Sequence, residues 1–144
     1  MNNMLVITGS DGETAKGLIE YFSLKYKHII GISRNTKTIY KSENIDIIKA
    51  DMLKYNDLKS IVNMIVDKYG SVNGWINCAG GFSMGQYIED QDDWETMHSL
   101  NFTTCLNGCR AIIPHMKKQG HGCIINFGSQ SAVEGFPGAA PYLI

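Results

Sequence analysis

No stretch of the 144-residue sequence reaches the run of roughly 18 apolar residues that a membrane-spanning helix needs. Met1 to Ile7 carry no basic segment and no long apolar stretch, so a secretory signal is not expected. Charge of one sign is also lacking. Thirteen basic side chains against fourteen acidic ones leave a formal −1, which argues against a broad nucleic-acid surface. Cys78, Cys105, Cys109 and Cys123 form no CxxC pair; reduced thiols in a cytoplasmic protein are expected, and no metal site. The histidines at 28, 98, 115 and 121 read as surface or partly buried residues rather than ligands. No internal repeat, linker or low-complexity segment divides the chain, so residues 1–144 are expected to form one domain. Apolar residues at 44% and charged residues at 19% are ordinary for a folded globular protein and argue against disorder.

What is present is an alternation of short apolar runs with longer amphipathic stretches. Met4–Thr8 is a continuous apolar run that ends at glycine, as strands covered on both faces do. Thr14 to Tyr26 has apolar residues at helical spacing. His28–Ile32 and Ile45–Lys49 read as strands, Asp57–Tyr69 as a helix, and Val72–Asn77 as a fourth strand. A long helix is predicted over Asp92–Lys118, acidic at its start and basic at its end, as the helix dipole favours. Pro114 is expected to kink its last turns. Cys123–Phe127 reads as a fifth strand, followed by an irregular segment through Gly135, Pro137, Gly138 and Pro141. This alternation is the pattern of an α/β protein whose parallel sheet is doubly wound, with helices on both faces.

Between the first strand and the first helix lies Thr8-Gly9-Ser10-Asp11-Gly12-Glu13-Thr14-Ala15. Gly9 can take a positive φ and turn the chain sharply. Gly12 presents no side chain to block a pyrophosphate, Ala15 lets the helix approach the sheet, and the first helical amides face the anion. An ordinary glycine-rich turn between strand and helix has the same composition, and on these residues alone both readings stand.

Later segments extend the pattern. Asn77-Cys78-Ala79-Gly80 follows the fourth strand; Trp94, Asn101 and Pro114-His115-Met116 mark the long helix; Gly122 to Ser129 ends the fifth strand in serine; Tyr142 comes thirteen residues after Ser129. Each has a bland reading alone: Asn101 as an exposed polar residue, Ser129 as a turn residue, Tyr142 as an aromatic near a terminus. Taken in order, the whole set resembles the short-chain dehydrogenase/reductase family. The glycine loop matches the variant TGxxGxx(G/A) through Gly9, Gly12 and Ala15 better than the commoner TGxxxGxG, whose later glycines would fall on Glu13 and Ala15. Asn77-Cys78-Ala79-Gly80 resembles NNAG with cysteine for the second asparagine.

The resemblance implies a Rossmann-type sheet of five strands in the order 3-2-1-4-5, lacking the family's C-terminal strands. It implies a dinucleotide held by Gly9, Ser10, Asp11, Gly12 and Thr14, by Ser33 and Arg34 after the second strand, by Asp51 and Met52 beside the adenine, and by Asn77, Ala79 and Gly80 beside the nicotinamide riboside. No acid ends the second strand, where one would bind a ribose 2′-hydroxyl; Ser33 and Arg34 suit a 2′-phosphate instead. NADP(H) is therefore expected over NAD(H), with Asp11 counting against it.

The implied reaction is hydride transfer between nicotinamide and a small carbonyl or alcohol substrate. Tyr142 would act as proton donor, Ser129 would hold the substrate oxygen, and Asn101 would help bind an ordered water. A free phenol has a pKa of about 10 and must fall by roughly three units, about 4 kcal/mol, to work near neutrality. In the family a lysine four residues after the tyrosine supplies much of that stabilisation, and this sequence stops two residues after Tyr142. The chain as given is thus expected to be a poor or inactive reductase, with a non-catalytic nucleotide-binding or interaction remnant as the alternative. A homo-oligomer is expected, because the fifth strand would be left as an apolar edge.

Overall fold

The computed structural model describes residues 2–36, 38–84, 88–89 and 93–143. The predicted helix start at Asp92 lies outside the described residues. The elements follow in the order β1 (Asn2–Thr8), α1 (Glu13–Ser23), β2 (Tyr26–Ser33), β3 (Ile45–Lys49), α2 (Tyr55–Tyr69), β4 (Gly74–Asn77), α3 (Trp94–His98), α4 (Thr104–Gln119), β5 (Cys123–Asn126), α5 (Ser131–Glu134) and α6 (Ala140–Leu143). The five strands are parallel and lie in the order β3-β2-β1-β4-β5. This is the doubly wound arrangement the alternation predicts.

The period-two geometry of a strand explains the two cores. Met4 and Val6 of β1 face one side with Ile30, Ile32 and Trp75, where Leu58, Val62 and Ile65 of α2 and Ala111, Ile112 and Met116 of α4 cover them. Leu5 and Ile7 face the other side with Ile29 and Ile76, under Ala15 and Ile19 of α1. β1 and β4 are thus sealed on both faces. β5 pairs with β4 on one side, and Cys123, Ile125 and Asn126 are exposed.

Several boundaries differ from the periodicity. α1 stops at Ser23, and Tyr26 opens β2 opposite Asn2 rather than continuing the helix. The Asn44 carboxamide donates to the carbonyls of both Ser23 and Tyr26, each at 2.9 Å, and fixes that change of direction. β4 starts at Gly74 instead of Val72 because Gln119 takes the backbone of Val72. Its amide donates to the Val72 carbonyl at 2.7 Å and its oxygen accepts the Val72 N–H at 3.3 Å.

The long predicted helix exists, with a π-turn over Ser99–Thr103 between α3 and α4. Backbone angles at the junctions stay helical, so the rod is continuous from Trp94. It runs through Pro114 to Gln119 and ends at Gly120, whose φ of 79° is one that glycine takes without strain.

Candidate functional site

The groove lies along the carboxyl ends of the strands, where the chain reverses between β1 and β4. Its floor begins at Gly9, where φ is 67° and an added Cβ would sit 2.6 Å from the Ala79 Cα. Only glycine lets the two loops come so close. The Thr8 hydroxyl then accepts the N–H groups of Cys78 and Ala79 at 3.1 and 3.2 Å and ties the end of β1 to the end of β4. Gly12 is the N-cap of α1 and offers no side-chain cap, so amides of the first helical turn are left for another acceptor.

One cavity of about 260 Å³ is lined by Gly9, Asp11, Gly12, Ser33, Arg34, Asp51, Met52 and Leu53, and by Ala79 and Gly80. Asp51 caps its own turn, accepting the Leu53 N–H at 3.0 Å. Met52 is buried, and Asn107 of α4 donates to the carbonyls of Met52 and Leu53 at 3.0 and 3.3 Å, holding this wall. Ser33 is buried, with its hydroxyl donating to the Asn35 carbonyl, while Arg34 is exposed at the rim. Asp11 stands across from that corner and accepts the Asn35 carboxamide at 3.2 Å.

A second cavity of about 540 Å³ shares Gly12, Cys78, Ala79 and Gly80 with the first and adds Thr14, Phe82, Asn101, Ser129 and Tyr142. The three residues expected to do the chemistry, drawn from α3–α4, the β5 loop and α6, therefore face one space that continues from the glycine loop. Asn101 sits in the π-turn, a feature often found at functional sites. Its side-chain oxygen accepts the Gly81 N–H at 2.8 Å, and a Cβ on Gly80 would stand 2.9 Å from that oxygen. Thr104 donates to the Leu100 carbonyl at 2.6 Å and steadies the same turn. The Tyr142 ring packs edge-on against Phe82 with centroids 4.8 Å apart. The Ser129 hydroxyl accepts the Ser131 N–H at 3.2 Å.

Ser10 and Asn77, both expected to hold the dinucleotide, have buried side chains, and Asn77 still lines the second cavity. The Ser10 side chain is turned inward against Gly31, where an added Cβ would approach it to 2.6 Å, and its hydroxyl is buried without a partner among the described residues. The Asn77 side chain is buried, accepting Trp75 Nε1 at 2.7 Å and donating to Asn126 Oδ1 at 2.8 Å. The braces Thr8, Asn107 and Thr104 were not singled out by sequence reasoning for these contacts. No local spacing marks Asn107 and Thr8, since their partners are 54 to 71 residues away.

Burial pushes the Cys78 thiol, which lines both cavities, above its ordinary range. The Cys105 thiol is also raised, by burial first and then by neighbouring Cys109. Among the described residues no group of three His, Cys, Asp or Glu side chains is placed to hold a metal, and no helix is long and apolar enough to cross a membrane.

A dinucleotide fits this groove on its own geometry: two cavities that share Gly12, Cys78, Ala79 and Gly80 as lining, a glycine floor that a Cβ would fill, and an uncapped helix start beside them. Comparison with known proteins points the same way. Residues 3–143 match the family described as short chain dehydrogenase. An uncharacterized oxidoreductase of Staphylococcus saprophyticus is 27% identical over 99% of this chain and 62% of its own length. The 2-(R)-hydroxypropyl-CoM dehydrogenase of Xanthobacter autotrophicus is 21% identical over 99% of this chain and 62% of its own. Among solved structures, a variant of ElxO with NADPH bound superimposes with a TM-score of 0.90 at 24% identity, covering 99% of this chain and 61% of that one. The ligand-free aldohexose dehydrogenase of Thermoplasma acidophilum gives 0.87 at 22% identity, covering 99% and 55%. The chain thus spans about three fifths of the length of these relatives. With the family match running almost end to end over a sheet of the right order, the chain belongs to the short chain dehydrogenase family.

Proposed function

We propose that this chain is the nucleotide-binding portion of an NADP(H)-preferring oxidoreductase that interconverts a small carbonyl compound and its alcohol. The observation that carries the reading is the shared cavity of Asn101, Ser129 and Tyr142, continuous with the glycine loop through Gly12, Cys78, Ala79 and Gly80. The bound nicotinamide would supply or accept the hydride. The chain's own residues supply the rest. Amides at the start of α1 take the pyrophosphate, Asp51 and Met52 border the adenine, and Ala79 and Gly80 border the nicotinamide riboside. Ser129 Oγ holds the substrate oxygen, and the Tyr142 hydroxyl exchanges the proton at that oxygen. Asn101 acts as a positioning residue, fixing the Gly80–Gly81 backbone through Oδ1.

The preference for the phosphorylated dinucleotide rests on Arg34, exposed at the rim with no acid at the end of β2. A guanidinium pairs with a phosphate in two hydrogen bonds, whereas a carboxylate there would repel it. Self-association belongs to the same reading: among the described residues one edge of β5 carries no strand, and Ile125 and Phe127 are exposed beside it. Light scattering should give at least a dimer mass, and a clean monomer contradicts this part.

The test of the whole is a titration with NADPH and NADH followed by turnover on a panel of ketones. Binding with turnover supports the oxidoreductase. Binding without turnover supports a non-catalytic nucleotide-binding remnant, a reading favoured by Glu13 at a loop position where the family's commoner pattern has glycine. Absence of both overturns the nucleotide reading.

A further inference from the structure

We propose that Tyr40 is a positioning residue for the pyrophosphate turn: its hydroxyl holds the Ser10–Asp11 peptide so that the Asp11 N–H is aimed into the groove. The proposal rests on the nucleotide reading given above and adds to it a residue that lines neither cavity.

The turn after β1 is fixed by three sets of ties. The Gly9 and Ser10 N–H groups both donate to the Ile32 carbonyl near the end of β2, at 2.7 and 3.3 Å. The Gly12 N–H donates back to the Gly9 carbonyl at 2.9 Å. The Tyr40 hydroxyl, from 30 residues along the chain, donates to the Ser10 carbonyl at 2.9 Å. The first two sets join backbone to backbone; the third depends on one side chain.

A trans peptide carries its C=O and N–H on opposite sides. The Ser10 carbonyl and the Asp11 N–H belong to one such peptide. Holding the carbonyl toward Tyr40 therefore turns the Asp11 N–H the other way, and Asp11 lines the cavity of about 260 Å³. The Ser10 hydroxyl gives no help, being buried against Gly31 without a partner among the described residues. Gly9 and Gly12 flank the two residues, so this peptide is free to rotate once the tie to Tyr40 is lost.

The connection between β2 and β3 puts Tyr40 in place. Residues 34–44 form no helix among those described, and the Tyr40 ring packs instead against the core that holds Ala15 and Ile19 of α1. Ring packing and hydroxyl tie are thus separable. Burial first, then Glu20, Asp11 and Glu13, hold the phenol above its ordinary value, so the hydroxyl keeps its proton and donates.

The experiment compares dissociation constants for NADPH and NADH, read by nucleotide fluorescence, in the unmodified chain, Tyr40→Phe and Tyr69→Phe. Tyr69 is the control, since its hydroxyl donates to Asp46 Oδ2 at 3.3 Å and it lines neither cavity. Tyr40→Phe keeps the ring, and its thermal midpoint, followed by circular dichroism, should stay within about 3 °C of the unmodified chain. It should bind both dinucleotides about five- to tenfold more weakly and by the same factor, because the pyrophosphate is common to both. Tyr69→Phe should bind both unchanged. Amide spectra give a readout that a loss of stability would not move. Saturating NADPH should shift the Asp11 N–H of the unmodified chain, and that shift should shrink in Tyr40→Phe while Asp51 and Asn101 respond as before. Unchanged affinity in Tyr40→Phe overturns the proposal and leaves the nucleotide reading intact. Weaker binding with the responses of Asp11, Asp51 and Asn101 reduced alike also overturns it. If the unmodified chain binds neither nucleotide, the nucleotide reading fails and takes this proposal with it.

Discussion

The Asn77 carboxamide spans the ends of β4 and β5, donating to Asn126 Oδ1 at 2.8 Å while its oxygen accepts Trp75 Nε1 at 2.7 Å. Asn77 and Asn126 are register partners, so the bond lies across the sheet just before the loops that carry Gly80 and Ser129. Replacing Asn77 with Ala leaves a fully buried indole N–H without its acceptor. Such an orphaned donor costs about 1–3 kcal/mol, and lost packing adds to it. The expected outcome is a fall in the urea midpoint corresponding to about 2–3 kcal/mol. A loss below about 0.5 kcal/mol would mean the bond contributes little.

Two glycines in helices should respond to alanine with opposite signs. A Cβ on Gly108 would lie 2.2 Å from Asn77 Oδ1, inside the same network, and the carboxamide has no free direction in which to retreat. Gly17 is exposed in α1 with nothing within 4 Å of such an atom. Gly108→Ala should destabilise by about 1–3 kcal/mol and Gly17→Ala should stabilise by roughly 0.5–1 kcal/mol. Thermal unfolding of the two variants side by side checks both signs.

Arg34→Ala should weaken NADPH binding by at least tenfold and leave NADH within about threefold, since one guanidinium–phosphate pair is lost and only the phosphorylated nucleotide makes it. Titration of both nucleotides at low and moderate salt decides this. Equal loss for both would assign Arg34 to the pyrophosphate.

The thiols should separate by environment. Cys123 is exposed and should be alkylated first, whereas Cys78 and Cys105 are partly buried. Burial disfavours the Cys78 thiolate, so its alkylation rate should continue to climb with pH beyond the usual thiol range near 8.5. The sign carries to stability. Its folded pKa lies above the unfolded one, so the contribution is present below the unfolded pKa and is lost as pH rises through the folded value. Because Cys78 lines both cavities, bound nucleotide should slow its modification, measured residue by residue with mass spectrometry.

The strand–helix alternation and the covering of β1 on both faces were legible because apolar runs and helix spacing are local properties, whereas the strand order came from the family resemblance. Met4 with Val6, and Leu5 with Ile7, declare opposite faces within four residues. The glycine loop was legible for the same reason. Boundaries set by distant side chains were not. Val72 reads as strand, and only the contact with Gln119, 47 residues on, takes its backbone away. Tyr26 keeps helical spacing, yet Asn44 turns the chain before it. The site shows the same division. Asn101, Ser129 and Tyr142 were read from their order along the chain, but the π-turn around Asn101 and the inward turn of the Ser10 side chain depend on packing. The contacts of Thr8 and Asn107 were not legible because they are made to backbone amides and carbonyls far along the chain.

The proposed reading has one nucleotide occupying both cavities, which share Gly12, Cys78, Ala79 and Gly80. Amide chemical shifts of the isotopically labelled chain, followed during titration with NADPH, test it most directly. The account predicts that Gly9, Gly12, Ala79 and Gly80 shift together with Asp51 at one end and Asn101 and Ser129 at the other, along a single binding curve. Shifts confined to the exposed residues of β5, or none at all at saturating nucleotide, would contradict it.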